Sequence, residues 1–283
     1  MNKIDLGSLY TGHAKLEELK KHLTNDAKGK LAIEGLTGSS RSLFLSSLFG
    51  SVATTHFVIL PEKEDAAYFY NDLVSSVAAD EKVFFFPSSY KRSIQFGRTE
   101  ASNIVLRTEV LNLLAAGKRK CIVVSYPEAI MEKLISKNVL KKNTLRVSIG
   151  NKLSMDFLEE MLAEYNFTRV DFVYEPGQYA VRGSIIDVFS FASDKPYRMD
   201  FFGDEIESVR SFRPDDQLSV ERLKEVDIVP NIQDISIEKT HEDITEFLPP
   251  SSLVWLESSD FIKDRINNIY LSLIHISEPT RPY

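Results

Sequence analysis

The chain is 283 residues long, 43% apolar and 27% charged, ordinary proportions for a soluble protein of one large or two modest domains. Its 34 basic and 41 acidic residues leave a net charge of −7, which disfavours a surface built throughout for nucleic acid and leaves room only for a local basic patch. A single cysteine, Cys121, excludes an internal disulfide framework and a cysteine-rich zinc site; with neither a membrane-length apolar run nor a secretion-signal pattern, the chain reads as cytoplasmic.

A short helix is predicted around Lys15–His22. From residue 30 to 136, apolar runs of strand length alternate with longer amphipathic ones. The strands predicted are Leu31–Gly35, His56–Leu60, Val83–Pro87 and Cys121–Ser125; the helices between and after them are 42–49, 62–79, 98–116 and 127–136. Strands separated by helix lengths imply βαβ units and a parallel sheet covered on both faces. Between the first strand and the first of these helices lies GLTGSSRS (35–42). This is the place for a phosphate-binding loop, whose template is Gly, four residues, Gly, Lys, then Ser or Thr. Gly35 and Ser42 fit, but Ser40 stands where the second glycine belongs and Arg41 where the lysine belongs. A side chain at position 40 keeps the backbone from the phosphates, and a planar guanidinium is a poor substitute for a slim ammonium. Gly35, Gly38, Ser40, Arg41 and Ser42 therefore form a degenerate nucleotide loop. The plainer reading is an ordinary strand-to-helix turn with Thr37, Ser39 or Ser40 as cap. No acidic motif after an apolar strand offers a magnesium ligand, and the five histidines are scattered without ligand spacing.

The pattern changes near residue 140. Leu145–Ile149 reads as a strand, and Met155–Tyr165 as a helix with Phe157, Leu158, Met161, Leu162 and Tyr165 on one stripe. Strand-like runs follow at 168–174, 178–190 and 196–212. Glu175-Pro176-Gly177 signals a turn, and Gly203-Asp204 a hairpin. On a continuous 178–186 strand, Tyr179, Val181 and Ile185 would share one face, and Ala180, Arg182 and Ser184 the other. An arginine flanked by small residues is open to bidentate pairing with a partner's carboxylate. Equally, Arg182 or Arg198 could pair within the sheet, with Asp187, Asp200 or Glu207. Phe84-Phe85-Phe86 and Phe201-Phe202 read as core. Lys118-Arg119-Lys120 and Lys141-Lys142 read as solvated helix ends or loops. Leu253–Leu256 is a further strand and Phe261–Tyr270 a further helix, too short to stand alone and expected to fold back on the first lobe. The C-terminal LSLIHISEPTRPY (271–283) resembles the translation of a sequencing-library adapter through Arg281, and it is set aside as a non-native tail. The natural protein is expected to continue past Tyr270.

The block Arg182-Gly183-Ser184-Ile185-Ile186-Asp187-Val188-Phe189, followed by Asp200-Phe201-Phe202-Gly203-Asp204-Glu205-Ile206-Glu207, resembles the UvrA-interaction domain shared by UvrB and the transcription-repair coupling factors. The order and spacing of the two blocks make the resemblance specific, and it extends over most of residues 30–260. Leu248-Pro249-Pro250 before a strand, the degenerate loop, and the lack of a long aromatic hairpin between Phe86 and Arg107 resemble the coupling factors more than UvrB. The resemblance implies an α/β fold: a P-loop-NTPase-like parallel-sheet lobe with a degenerate nucleotide site, and an inserted α+β, mainly antiparallel UvrA-interaction lobe. The expected divisions are 1–136, 137–230, a return segment 231–270 packing on the first lobe, and the tail 271–283.

By that resemblance Arg169, Arg182, Arg198 and Asp200 fall where UvrB contacts UvrA, while Ala180 replaces a further family arginine. The implied function is a recruitment module of transcription-coupled excision repair, without catalytic residues of its own and with UvrA as partner. The family's ATP and magnesium would belong to a motor outside this sequence, as would its contacts with DNA and RNA polymerase. The competing reading is a UvrB-like, ATP-binding repair helicase subunit with a divergent P-loop. A stand-alone DNA-binding protein fits the acidic balance poorly.

Overall fold

A computed structural model describes residues 10, 12–24, 29–52, 54–77, 82–89, 101–117, 120–233 and 241–277. Lys118, Arg119 and the end of the C-terminal tail lie outside them. In chain order they form α1 (Ala14–Thr24), α2 (Ser40–Phe49), β1 (Thr55–Ile59), α3 (Lys63–Ser76), β2 (Val83–Phe85), α4 (Ala101–Ala115), β3 (Cys121–Ser125), α5 (Pro127–Ile130), β4 (Leu134–Ile135), α6 (Lys137–Lys142), β5 (Leu145–Ser148) and α7 (Met155–Glu164). There follow β6 (Thr168–Arg169), β7 (Gln178–Arg182), β8 (Ile185–Val188), β9 (Tyr197–Phe202), β10 (Glu205–Phe212), β11 (Ser219–Leu223), β12 (Glu225–Ile228), β13 (His241–Glu242), α8 (Ile244–Phe247), β14 (Leu253–Leu256) and α9 (Ser259–Ser277). Among the described residues no helix is long and apolar enough to cross a membrane.

The chain is α/β and divides into two compact units, Met1–Pro87 with Gly117–Glu132 and Leu248–Tyr283, and Ser88–Ala116 with Lys133–Phe247. The boundaries differ from the sequence expectation, and residues 133–136, expected in the first lobe, belong to the second unit. The helix expected at 98–116 in the first lobe groups with the second unit, because α4 lies against α6 and α8. Residues 241–247 group there too, because β13 pairs with β4.

The first unit is built on a parallel sheet in the order β14-β1-β3-β2. THFVI and CIVVS are buried at every position, as strands covered on both faces must be. Leu253–Leu256 joins β1 in parallel register, His56 opposite Leu253 and Ile59 opposite Leu256. Leu31–Gly35, expected as a strand, forms none; Leu31 is 54% and Ile33 40% exposed. With β14 and β3 flanking β1 on both edges, the run finds no ladder partner there. The helix expected over 127–136 ends at Ile130; Leu134 and Ile135 pair with His241 and Glu242 instead.

The second unit carries a six-stranded sheet in the order β11-β10-β9-β8-β7-β6, antiparallel except for β6 on β7, and a separate β5–β12 ladder. The strand expected over 168–174 shrinks to Thr168–Arg169. Ser154 caps α7 by accepting from Phe157 N at 3.2 Å. The helix buries Leu158 and Leu162 against Tyr179, Ile186, Val188, Met199, Phe201 and Val209, a core in which each fully buried aliphatic contributes about 2 kcal/mol. Phe157, expected on the same stripe, is instead 47% exposed. Gly177 is required where it stands: its φ is +86°, and an added Cβ would lie 2.9 Å from the Phe191 ring.

His56 on β1 links three elements of the first unit. It is fully buried, its ring stacks on Trp255 of β14 at 5.8 Å, and Phe49 of α2 meets it edge-on at 5.4 Å. Nδ1 accepts from Trp255 Nε1 at 3.2 Å, which leaves the proton of the neutral ring on Nε2, 3.3 Å from Val52 O. Burial pushes the imidazole down to about 4 from its ordinary value near 6.5, against a smaller opposing effect of the Val52 carbonyl. The unfolded chain therefore takes up this proton near pH 6.5 and the folded chain only near pH 4. The contribution is complete above pH 6.5 and is lost as pH falls toward 4, by about 3 kcal/mol. Urea unfolding of wild type and His56→Phe, followed by the fluorescence of the single tryptophan, should diverge across this window, with the shallower pH dependence in the variant.

Candidate functional site

The six-stranded sheet has one apolar and one charged face. Two tight hairpins set the division. Arg182 pairs with Ile185 across Gly183-Ser184, and Phe202 pairs with Glu205 across Gly203-Asp204. In each loop the first residue is a glycine at φ +61°, as a type II′ turn requires. The turn at Gly183 resets the alternation. Ile185 therefore shares the face of Arg182, and not that of Tyr179 and Val181 as a continuous 178–186 strand would give. Directly opposed residues lie on one face, so the register Ala180–Asp187–Arg198–Arg210–Arg222 is a row across five strands. Arg182, Ile185, Asp200 and Ser208 form the adjacent row.

Asp187 organises this face. Its carboxylate is fully buried. Arg198 donates to it twice, Nε to Oδ1 at 2.7 Å and Nη2 to Oδ2 at 2.8 Å, and Arg182 Nη2 donates to the same Oδ2. Arg198 also donates from Nη1 to the carbonyl of Gln217 at 3.2 Å. Gln217 holds φ +59°, uncommon for a non-glycine residue, and Asp216 accepts from the next amide, Leu218 N, at 3.0 Å. Each guanidinium also lies on an aromatic ring, Arg182 over Phe172 at 5.0 Å and Arg198 over Phe212 at 4.5 Å. The hydrogen bonds that Arg198 donates to Asp187 outweigh desolvation and push the Arg198 pKa up, so its charge is permanent.

The structure brings Arg182, Arg198 and Asp200 onto one face and leaves Arg169 on the edge strand opposite Tyr179, in register with the α7 side. The Arg182 side chain is 34% exposed and that of Arg198 only 15%, so within-sheet pairing to Asp187 holds both and leaves Arg182 the more accessible. Asp200 is engaged by Ser208 Oγ and by Arg210 Nη2, the latter at 2.6 Å. Arg169, on the edge strand β6, is 59% exposed and ion-paired to Glu159 of α7 at 2.9 Å. Arg169 and Arg182 line one concavity of about 500 Å³ with Val170, Asp171, Phe172 and Val181.

Several residues of the face escaped the sequence. Phe201 is core, but its neighbour Phe202, expected there too, is 80% exposed on the side of Arg198 and Asp200. Strict alternation up to the Gly203 turn is the signal that separates them. Phe172, Phe212 and Gln217 reach the arginines from loops or a distant strand end, which no local pattern reveals.

The degenerate loop lies in the first unit. Gly35 and Gly38 hold φ +87° and +53°. Ser40 opens α2, but its hydroxyl accepts from Thr37 N at 2.8 Å and donates to Thr37 O at 2.6 Å. Ser39, at the cap position, makes no side-chain cap bond, so the capping expected of Thr37, Ser39 or Ser40 does not occur. Arg41 donates from Nε to Gly38 O at 3.1 Å and forms an ion pair with Glu257. Ser42 Oγ reaches Ser39 O at 2.9 Å and Asp72 at 3.2 Å.

Residues 145–233 match the sequence family described as the UvrB interaction domain. The chain is 32% identical over 198 residues to the transcription-repair-coupling factor of Bacillus subtilis (strain 168), covering 70% of this chain and 17% of that protein. It is 27% identical over 195 residues to that of Escherichia coli (strain K12), covering 69% and 17%, and 23% identical over 215 residues to UvrABC system protein B of Thermotoga neapolitana, covering 72% and 32%. The chain thus carries a UvrB interaction domain in a UvrB-like module similar to that of the coupling factors, and it spans 17% of the length of those it matches.

Asp187→Ala would leave two guanidinia without their carboxylate, and it should destabilise the fold by about 3 kcal/mol. Arg182→Ala leaves Asp187 with its bidentate partner and should cost under about 1 kcal/mol. Urea midpoints of the two variants check the contrast.

Proposed function

We propose that the UvrB interaction domain of this chain is a docking module that binds UvrA through the charged sheet face. It would serve as the recruitment part of a transcription-coupled excision-repair protein in the cytoplasm. The observation that supports this most is a set of side chains held rigidly yet left accessible. Arg182 is pinned by Asp187 and by the Phe172 ring, and Phe202 projects from a tight hairpin on the same face. Fixed guanidinia and an exposed aromatic lose little freedom on binding, and such groups dominate interface energetics. Arg198 and Asp200 complete the face, with Arg169 on the edge strand. In the full-length protein an ATP-dependent DNA translocase, outside this sequence, would act on DNA and on stalled RNA polymerase. The docking lobe would be 137–230 together with the segments that group with it, and the UvrB-like lobe the remainder of 1–270. Residues 271–283 would be foreign.

The first unit supports a non-catalytic role. Arg41, the residue that would meet a phosphate, is held by Glu257, so an incoming nucleotide would have to displace a carboxylate already in place. This disfavours the UvrB-like, ATP-binding helicase alternative.

Titration of fluorescently labelled chain with purified UvrA tests the reading. Arg182→Ala and Phe202→Ala should each weaken binding by about tenfold or more, with thermal midpoints within about 4 °C of wild type. Wild-type affinity in both would remove the face from the interface. ATP with magnesium should bind the unmodified chain no more tightly than millimolar order. Micromolar binding lost in Arg41→Ala would favour the enzyme reading.

A further inference from the structure

Three guanidinia stand directly opposite one another on consecutive strands: Arg198 on β9, Arg210 on β10 and Arg222 on β11. Like charges in cross-strand register oppose sheet formation. Arg198 reaches Asp187, which also serves Arg182, and Arg210 reaches Asp200, so three arginines share two acids and Arg222 reaches neither. Satisfaction falls along the row. Arg198 has two bonds to Asp187 and one to Gln217 O. Arg210 has one, to Asp200, and its Nε is buried with no acceptor among the described residues. Arg222 is exposed and has no side-chain partner among the described residues.

We propose that this row is a second strip of the docking face, recognising an acidic protein segment laid across β9, β10 and β11. The inference rests on the reading of the face as a UvrA-docking surface, and it extends that surface to the β11 edge of the sheet. Adjacent strands lie about 4.8 Å apart, and residues three or four apart on a helix place their Cβ atoms about 5–6 Å apart. A helix with acidic residues one turn apart therefore offers carboxylates at the pitch of the row. Nucleic acid fits less well. Asp200 sits in the neighbouring row, where it would face a phosphate backbone, and the chain carries a net charge of −7. Rows of mixed sign select a partner whose own charges are fixed in position.

Arg222 is the residue to vary, because its side chain has no partner among the described residues. Labelled chain is titrated with purified UvrA, and separately with duplex DNA, at two salt concentrations. Arg222→Ala should weaken UvrA binding by about fivefold and Arg222→Glu by about twentyfold or more, with a shallower salt dependence. Arg222→Lys should stay within about threefold of wild type. All three should keep the wild-type thermal midpoint. Unchanged binding by Arg222→Glu, alongside loss in Arg182→Ala, would overturn this inference and leave the docking face standing. No effect of either, or no binding by wild type, would overturn both. A loss confined to duplex DNA would make the row a nucleic-acid contact and likewise overturn the inference.

Discussion

Asp187 is a fully buried carboxylate at the centre of a six-stranded sheet, and two arginines on neighbouring strands close around it. A lone carboxylate in that position would oppose folding strongly. Its burial is sustained because Arg198 meets it in parallel, bidentate fashion while Arg182 reaches the same Oδ2 from the other side. The arrangement binds β7, β8 and β9 together through charge where the opposite face binds them through packing. It also fixes where the guanidinia point. An isolated surface arginine samples many rotamers, and ordering one on binding is costly. Here that ordering is completed when the domain folds, with Phe172 and Phe212 stacked against the cations as flat supports.

The separation into two faces depends on turn chemistry as much as on strand pattern. A side-chain period of two means that one extra residue between strands sends every later side chain to the other side. The two-residue loops at Gly183-Ser184 and Gly203-Asp204 keep count, so that Tyr179, Ile186, Val188, Met199 and Phe201 all meet α7 while Arg182, Asp187, Arg198, Asp200 and Arg210 take the opposite side. Backbone bonds from Gly150 and Leu153 to Ile206 and Asp204 hold the second hairpin in place and give Phe202 a rigid base.

Much of this was legible in the sequence, and the misses have physical causes. Buried parallel strands announce themselves as unbroken apolar runs, so His56–Leu60 and Cys121–Ser125 were found, and LVWL coincides with β14. Leu31–Gly35 has the same composition but forms no strand, because composition states what a segment could bury and not whether a neighbour exists. The helix predicted over 127–136 was lost to a contact with His241 and Glu242, more than a hundred residues away. On the charged face the arginines were identified from their chemistry and from the resemblance. The role of Asp187 stayed open, because an acidic residue on a strand can serve a cross-strand ion pair or a partner, and burial decides between them. Phe172 and Gln217 come from irregular segments, whose placement no period encodes.

The same residue type has opposite consequences in the two units, and the difference lies in what surrounds it. Arg41 stands at the start of α2, where a lysine would project a compact charge toward a bound phosphate. Its guanidinium is long and forked enough to bond Gly38 O and Glu257 together, so the residue after β14 supplies the anion. Ser40, in the place of a glycine, ties its hydroxyl to both backbone groups of Thr37 and so holds the turn in a shape defined by internal bonds. Arg182 also has an internal carboxylate and is exposed to the same degree as Arg41, one third of each side chain, but it shares Asp187 with Arg198. A guanidinium with five N–H groups that spends one of them on a shared acid retains donors for a partner. Arg41 has an acid to itself, whereas Arg182 divides its acid with a second guanidinium.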